Sequence, residues 1–304
     1  MHQSNPSFRG APRLLALIAL TWSALGFVQP RAGGGDEASR WREQFAQEVD
    51  RRLDVPVADQ QRYIALLQQA MSKAETRSTP AQAFVLIERS PQVQAAFVIM
   101  RTAAGDWQWV GASPVSTGKV GAFDHFMTPL GVFAHTLANP DFRAEGSFNE
   151  NHIRGYGLRG RRVFDFGWAV AARGWGKGGT SQMRLQMHAT DPSVLEPKLG
   201  GVESKGCIRI AATLNVFLDR HGILDADYEE ARVGGKSLWI LGHDRALVPW
   251  PGRYLVIIDS LATERPAWSP LPGAKPGPEP QAQSILPSAT RKASSFASYS
   301  AASP

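Results

Sequence analysis

Cys207 is the single cysteine among 304 residues, and it lies in the stretch GGVESKGCIRI. An unpaired cysteine is either a buried apolar residue or a group kept for its reactivity. Gly206, directly before it, lets a ligand approach the backbone closely, and Arg209 carries a charge that favours the thiolate. The run TLNVFLDRHG that follows has apolar residues at helical spacing, which would add the positive end of a helix dipole. This setting predicts a reactive thiol.

A thiol nucleophile needs a base, and His188 is the candidate. Apolar and polar residues alternate in the run QMRLQMH, which puts His188 with the polar residues at a predicted strand end. Cys207 follows nineteen positions later, and a return from strand to loop to helix would bring imidazole and thiol together. The alternative is an ordinary surface histidine. The seven histidines form no H-x-x-x-H or H-E-x-x-H spacing, so no metal site is predicted.

The formal net charge of +6 is concentrated at the two ends of the chain. Arg9, Arg13 and Arg31 contribute +3 before residue 33, and the stretch from residue 261 contributes +2. The rest of the chain is nearly neutral and lacks the basic face that nucleic-acid binding requires. Nucleic acid is therefore not a predicted partner.

The first 32 residues have the pattern of an export signal. Arg9 and Arg13 precede the apolar run LLALIALTWSALGFV, and no acidic residue occurs before Asp36. The run is shorter than the roughly 20 residues that a membrane-spanning helix needs. We predict a signal peptide at 1–32 and a location in the periplasm or cell envelope, with an uncleaved membrane anchor as the alternative. Structural cysteines normally occur in pairs in such oxidising compartments, so a single cysteine is unusual there.

Three further parts follow the predicted signal. Residues 33–78 contain two amphipathic helix patterns, DEASRWREQFAQEVDRRL and ADQQRYIALLQQAMSKAET. Residues 79–260 contain short apolar runs separated by Gly and Pro, which predict a mainly β domain with one core. The predicted strands are AFVLIE, AAFVIMR, WQWVGA, GVFAHT, VFDFGWAV, QMRLQMH, SLWILG and RYLVIID. Residues 261–304 are rich in Pro, Ser and Ala and predict a disordered tail.

The pattern HAT followed by GGVESKGCIRI resembles the active-site signature of the L,D-transpeptidases, which have a YkuD-type catalytic domain. PVSTGK at 114–119 and TPLGVF at 128–133 also resemble segments that the family places before its histidine. The resemblance covers about residues 82–260 and leaves out the helical segment and the tail. It implies a β-sandwich-like catalytic domain with a short helix after the cysteine.

The resemblance also implies a reaction and a role for each matching residue. Cys207 would attack a tetrapeptide stem of peptidoglycan after its third residue, release D-alanine and pass the acyl group to an amine. His188 would be the general base, while Ser204 and Gly206 would shape a loop whose backbone N–H groups form the oxyanion hole. Arg209 would support this loop or a substrate carboxylate. The implied partners are stem peptides, with a lipoprotein as an alternative acceptor, and neither a cofactor nor a metal is implied.

The sequence departs from the family pattern at two positions. Ala189 follows the histidine where glycine is common, and Lys205 stands where most members have a second histidine. A lysine is protonated at neutral pH and can only donate hydrogen bonds. We therefore predict that Lys205 orients the loop or binds a substrate carboxylate. The change also leaves open an L,D-carboxypeptidase, which would use water as acceptor.

Residues 136–180 are rich in Gly, Arg and aromatic residues. This composition predicts a lid or cleft wall in which Tyr156, Trp168 and Trp175 contact the stem peptide. The alternative is a set of surface loops with the aromatic rings packed inward.

Other functional classes fit the pattern less well. Papain-like peptidases usually place the cysteine before the histidine, the reverse of the order here. Sortase-like transpeptidases keep the order found here, but their arginine lies on a later strand, whereas Arg209 is two residues from Cys207. A non-catalytic wall-binding protein would need neither member of the pair.

Overall fold

The structure is a computed structural model that describes residues 34–74, 76 and 81–273. Four α-helices occur in these residues: α1 (Gly34–Glu48), α2 (Val57–Lys73), α3 (Ala212–His221) and α4 (Ala226–Val233). The first strands are β1 (Gln82–Glu88), β2 (Ala95–Arg101), β3 (Trp107–Ser116), β4 (Gly131–Ala134) and β5 (Phe142–Arg143). The remaining strands are β6 (Arg162–Ala172), β7 (Thr180–His188), β8 (Ile208–Ile210) and β9 (Tyr254–Ile258). The prediction of a mainly β protein is confirmed.

The strands form one mixed sheet in the order β4-β9-β1-β2-β3-β8-β7-β6-β5. Two pairs, β1 with β9 and β7 with β8, are parallel, and the other neighbours are antiparallel. β3 joins the two halves, because it pairs with β2 along most of its length and with β8 only at Val115 and Ser116. β3 therefore links the part of the sheet that contains β1 and β2 to the part that contains β7 and β8.

Both faces of the first half of the sheet are covered. Along β1, side chains alternate between two apolar clusters, with Val85 in one and Leu86 in the other. On one face, Phe45 of α1 packs edge-on against Phe217 of α3 with ring centroids 5.1 Å apart. On the other face, the ring of Tyr63 of α2 packs against the ring of Phe97, with ring centroids 4.4 Å apart. The two predicted N-terminal helices are therefore part of the same core as the sheet.

Several elements differ from the sequence prediction, including the short strands β5 and β8, which were not predicted. The run SLWILG, predicted to be a strand, forms turns, and its Ile240 and Leu241 are buried in a small cluster with Tyr228 of α4. α4 itself was not predicted, since its sequence ADYEEARV shows only a weak apolar stripe. Ile240 and Leu241 are buried beside this helix, whereas Trp239 is 75% exposed.

The predicted boundary of the disordered tail at residue 261 needs correction. Trp268 packs against Tyr63 at 6.0 Å, and its ring N–H donates to Asp59 Oδ2 at 2.8 Å. Ser269 Oγ makes hydrogen bonds of 2.9 Å to the carbonyl groups of Gln92 and Val93. Residues 261–273 therefore pack on the sheet. The Trp268 side chain supplies an apolar contact that the Pro-, Ser- and Ala-rich composition does not predict.

The predicted signal peptide and the remainder of the predicted tail, residues 274–304, lie outside the described residues. Within the part of the chain that the structure describes, none of the helices has the length and apolar character required to cross a membrane.

Candidate active site

Two neighbouring parallel strands position the candidate base and nucleophile. In the pairing of β7 with β8, His188 lies opposite Arg209. Cys207 lies in a bend directly before β8 and packs against the apolar cluster that includes Leu185 and Ile208. The thiol therefore lies at the start of the strand that pairs with the end of β7, which carries His188.

The loop before Cys207 is held by a short chain of hydrogen bonds. Ser204 Oγ donates to the Cys207 carbonyl at 2.5 Å and accepts the Gly206 N–H at 3.1 Å. Thr128 Oγ1 donates to the Gly206 carbonyl at 2.7 Å. Gly206 has φ of +130°, and a Cβ there would meet Met183 Sδ at 2.8 Å, so this position requires glycine. The Gly206 N–H, an expected oxyanion donor, is thus engaged by Ser204.

A second layer of backbone encloses this loop. The Thr117 carbonyl accepts the N–H groups of Glu203 and Ser204 at 3.0 and 2.9 Å. The Phe126 N–H donates to the Lys205 carbonyl at 3.0 Å. A Cβ at Gly118 would lie 1.9 Å from the Phe126 carbonyl oxygen, so the two enclosing segments approach closely only because that residue is glycine. Segments 114–119 and 128–133, noted in the sequence, thus have a structural role at the Cys207 loop.

The protonation of His188 follows from its surroundings. Its Nδ1 lies 2.6 Å from the Ala189 carbonyl oxygen, and since a carbonyl only accepts, Nδ1 carries the proton and Nε2 is the basic nitrogen. Burial lowers the pKa of His188 to about 4; the Ala189 carbonyl opposes this effect, and the charge of Arg209 adds to it. The imidazole is therefore neutral at pH 7 and able to accept a proton.

The thiol of Cys207 is also neutral at rest. Burial, the largest influence, raises its pKa, while the Gln186 backbone and Arg209 act less strongly in the opposite direction. Its Sγ lies 3.6 Å from the Arg184 carbonyl, to which it donates. Among the described residues, no hydrogen bond joins Sγ to His188, and such contacts often tighten only when substrate binds. The thiolate that the sequence suggested is disfavoured at rest, because desolvation outweighs the charge of Arg209.

Two basic side chains lie near the thiol in different environments. Arg209 is half-buried, and its Nη1 donates to the Glu203 carbonyl at 2.9 Å, so it braces the loop. The Lys205 side chain is 66% exposed, with Nζ 3.6 Å from Asp124 Oδ2. An exposed pair of this kind contributes little to stability, and it leaves the ammonium at the rim of the site.

The three aromatic residues predicted to contact substrate occupy different places. The Tyr156 ring meets His188 edge-on at 4.7 Å, and its hydroxyl donates to Gln186 Oε1 at 3.0 Å. Burial raises the pKa of Tyr156, and the neighbouring Cys207 raises it further, so Tyr156 lies beside both members of the pair. Trp175 packs against Phe126 at 4.8 Å, on the segment that encloses the loop.

Trp168 is 65% exposed and lies on β6, with the Arg184 guanidinium 5.7 Å from its ring centroid. β6 occupies the middle of the segment 136–180 that was predicted to be a lid or cleft wall. That segment is therefore not a single lid. Its first part brings Tyr156 to the site, and its middle part is a strand of the sheet.

A polar group beside the thiol was not predicted from the sequence. Asp165 accepts from Arg184 Nε at 3.0 Å and from Gln186 Nε2 at 2.9 Å. The alternation in QMRLQMH already put Arg184 and Gln186 on the face of His188, so this signal was available. Asp165 lies on the neighbouring strand, and only the pairing of β6 with β7 reveals it.

No protein-family model matches this chain, and a search of the curated proteins also finds no match. Within the described residues, no group of three or more His, Cys, Asp or Glu side chains could hold a metal ion. The arrangement is a neutral imidazole at the end of β7 and a neutral thiol directly before β8, beside a hydrogen-bonded loop and an aromatic ring. Such a pair can transfer an acyl group through a thioester.

Proposed function

We propose that this protein is a cysteine acyltransferase of the L,D-transpeptidase type that acts on peptidoglycan stem peptides. The observation that carries the proposal is the placement of His188 at the end of β7 and of Cys207 directly before its parallel neighbour β8, with Nδ1 of the imidazole protonated and Nε2 left as the basic nitrogen. The resemblance of the residues around both positions to the family signature supplies the substrate class. The predicted signal supplies the location, since peptidoglycan lies outside the cytoplasmic membrane.

In the first half-reaction, Nε2 of His188 removes the thiol proton as Sγ of Cys207 attacks the carbonyl carbon of the third stem residue. The tetrahedral adduct collapses when the imidazolium returns that proton to the nitrogen of D-alanine, which leaves as a free amino acid. A thioester remains on Cys207. General acid–base catalysis of this kind contributes about 10²–10⁴-fold.

In the second half-reaction, an amine on a second stem peptide attacks the thioester carbonyl. His188 accepts the proton that the amine loses and returns it to the departing sulfur of Cys207, so the neutral pair is restored. A lipoprotein amine is an alternative acceptor. No cofactor or metal is needed in either half-reaction.

The raised thiol pKa has a kinetic consequence. Little thiolate exists at rest, so the proton must leave during the attack, which makes the base essential. A thiolate of high pKa is also the better nucleophile once formed, with a Brønsted slope of roughly 0.4–0.5 in thiol exchange. The catalytic advantage therefore depends on the geometry of Cys207 and His188 and does not require a stable ion pair.

The rim of the site offers cations to an anionic peptide. Lys205 is exposed, and Arg184 is partly exposed beside Trp168. Stem peptides have several carboxylates, and guanidinium groups bind carboxylates through paired hydrogen bonds. We assign Lys205 and Trp168 to substrate contact, Tyr156 to orientation of His188, and Arg209 and Trp175 to support of the loop.

A second candidate is an L,D-carboxypeptidase, in which water replaces the amine. The observation that favours it is Lys205 in place of the family's second histidine. The thioester on Cys207 is the same in both reactions, so only the products distinguish them. A sortase-like protein is less well supported, because Arg209 lies two residues after Cys207 and not on a later strand, and a non-catalytic wall-binding protein would need neither Cys207 nor His188.

The test of the nucleophile is acylation by a carbapenem, a drug class that acylates the cysteine of this family. Intact-mass spectrometry of the full chain should show one covalent adduct, and peptide mapping should locate it on Cys207. The Cys207→Ala variant should form no adduct and should keep its circular dichroism spectrum, because the cysteine has no disulfide partner. An adduct on another residue, or none on the wild type, would overturn the assignment.

A further inference from the structure

Glu196 lies in the loop between His188 and Cys207, in a 3₁₀ turn at Glu196–Lys198. It is one of the buried charged residues, with 7% of its surface exposed. Its Oε2 accepts the N–H of Ala212, the first residue of α3, at 3.3 Å. This bond closes the segment 196–212, and Cys207 lies inside the closed segment. The side chain therefore ties the start of the cysteine loop to the helix that follows the cysteine.

The other oxygen of Glu196 faces the N-terminal helical segment. Arg51, from the connection between α1 and α2, places Nε 3.7 Å from Oε1, and both side chains are more than nine-tenths buried. Its neighbour Asp50 bonds with Thr213 of α3, whose hydroxyl accepts the Asp50 N–H at 3.3 Å. The connection between α1 and α2 thus bonds to the N-terminal end of α3, the same end at which Glu196 accepts the Ala212 N–H.

The rest of the segment transmits this anchor to the cysteine. Leu199 is buried in the apolar core, and the Gly200 N–H donates to the Val115 carbonyl at 2.7 Å. From there the chain runs along the end of β3 to Ser204, whose hydroxyl bonds to the Cys207 carbonyl. A shift of Glu196 relative to α3 would therefore move Cys207 relative to His188, which is fixed on β7.

We infer that Glu196 is a positioning residue for Cys207, and that Arg51 of the N-terminal helical segment acts through it to set the distance between thiol and imidazole. The inference rests on the proposed acyl transfer at Cys207. It assigns the N-terminal helices a role in catalysis that their distance from Cys207 in the sequence does not suggest.

Ionisation of Glu196 makes this role measurable. Burial raises its pKa to about 7, opposed by the Ala212 N–H, Arg51 and Arg161 and reinforced by Asp50. These are the charged groups that face it from the helix connection and from the strand β6 side, and α3 contributes the N–H. Glu196 is therefore mostly protonated below about pH 6 and mostly ionised above about pH 8. Only the ionised form pairs with Arg51, so the cysteine is held most firmly at the higher pH.

The same shift makes Glu196→Gln a suitable variant. When folding raises the pKa of a carboxyl, the contribution of that group to the stability of the folded protein is lost as the pH rises through the folded pKa, here about 7. An amide at this position avoids that cost and keeps an acceptor for the Ala212 N–H. The variant should therefore fold at pH 8 while lacking the ion pair with Arg51.

The experiment measures the rate of Cys207 acylation by a carbapenem in a stopped-flow instrument between about pH 5 and pH 9. For the wild type we expect a rise of about 10-fold with a midpoint near pH 7, since a misplacement of about 1 Å can cost up to roughly 10²-fold. His188 gives no transition in this range, because its pKa is about 4. Glu196→Gln should remain at the low-pH rate throughout, and Glu196→Asp should restore part of the rise.

Matched variants separate positioning from general destabilisation. Arg51→Gln should reduce the rise and move its midpoint to higher pH, while Arg51→Lys should retain most of it. Glu88 is the control, because it is another fully buried carboxyl whose pKa is raised by burial, and it accepts N–H groups of Ser90 and Ser260. Glu88→Gln should keep the wild-type profile.

Each outcome decides between the claims. A wild-type rise that persists in Glu196→Gln overturns the inference and leaves the proposed function intact. Loss of the rise in Glu88→Gln as well also overturns it, because any buried carboxyl would then have the same effect. A wild type that is not acylated at any pH contradicts the proposed function itself, and the positioning role fails with it.

Discussion

Burial moves the pKa values of Cys207 and His188 apart. It raises the pKa of the thiol and lowers the pKa of the imidazole to about 4, so both groups are neutral between about pH 5 and pH 8. A reactive ion pair forms only if the thiol proton of Cys207 moves to His188, and this transfer must occur when substrate binds. At the scale of single residues, the proposed acyl transfer therefore depends more on the positions of the two side chains than on a permanent charge.

His188 and Lys205 are predicted to differ in their effect on acylation. His188→Ala should lower the rate of Cys207 acylation by on the order of 10² or more, because the neutral thiol then has no base. Lys205→Ala should cost less, since its ammonium is exposed and cannot accept a proton. Lys205→His should retain most of the activity. Stopped-flow rates for the three variants test this division of roles.

Asp124→Ala is the matched control for Lys205, because it removes the partner of the exposed pair and leaves the lysine in place. We expect a near-normal rate from this variant. If Lys205→Ala proves more damaging than His188→Ala, the assignment of the base is wrong.

The sequence was informative about these residues up to a definite limit. Alternation in QMRLQMH was enough to put His188 on the polar side of a strand, and β7 confirms that strand. The ionisation of Cys207 was not accessible in the same way. Its burial depends on packing against an apolar cluster whose members come from distant parts of the sequence, so local charge suggested a thiolate that desolvation disfavours.

At the scale of elements, the loop before Cys207 is held from several sides. The end of β3 and the segment around Phe126 bond to its backbone. Residues after β9 also reach its beginning, where the Gly273 N–H donates to the Pro197 carbonyl at 2.6 Å and Pro270 lies against Gly200. The loop is thus also held by residues 270–273, which follow the candidate residues His188 and Cys207 in the sequence.

Two truncations should have different effects. A chain ending at residue 273 should keep its melting temperature and its acylation rate. A chain ending at residue 264 should melt several degrees lower, because it loses the contacts of Trp268 with Tyr63 and Asp59. Partial burial of such a side chain is worth about 2 kcal/mol, and in a domain of this size each 1 kcal/mol shifts the melting temperature by about 2–4 °C. Differential scanning calorimetry measures both.

Trp268→Ala in the full-length chain is the control for the shorter truncation, and it should reproduce most of the loss. Equal melting temperatures for the two truncated chains would contradict the docking of residues 265–273 on the sheet.

Periodicity identified most of the strands and both N-terminal helices, because each has a regular apolar pattern. It failed at SLWILG, which forms turns and does not form a strand, and in which Ile240 and Leu241 are buried beside Tyr228 of α4. It also failed at 261–273, where the composition is that of a disordered segment and a single tryptophan supplies the packing. In both places a long-range contact overrides the local pattern.

At the scale of the whole molecule, a separate apolar cluster covers each face of the sheet. α1 and α3 pack on one face of the sheet and α2 on the other. A buried group of charges joins strands from opposite ends of the strand order: Arg162 bonds to Asp141 and Asp225, and Asp141 also bonds to His135. Burial costs each charge dearly unless it is paired, so this group ties β4 and β6 to the chain before α4. The resemblance seen in the sequence stops at residue 82, but the core that positions the site begins at α1.

The measurement that tests the central claim most directly is product analysis with a purified disaccharide-tetrapeptide. Incubation with the full-length wild type should release D-alanine and form a cross-linked dimer, both detected by liquid chromatography and mass spectrometry. Cys207→Ala should form neither product. Release of D-alanine with only a tripeptide would show that water is the acceptor at the same cysteine. No release of D-alanine by the wild type, or undiminished release by Cys207→Ala, would contradict the claim that Cys207 transfers the acyl group of a stem peptide.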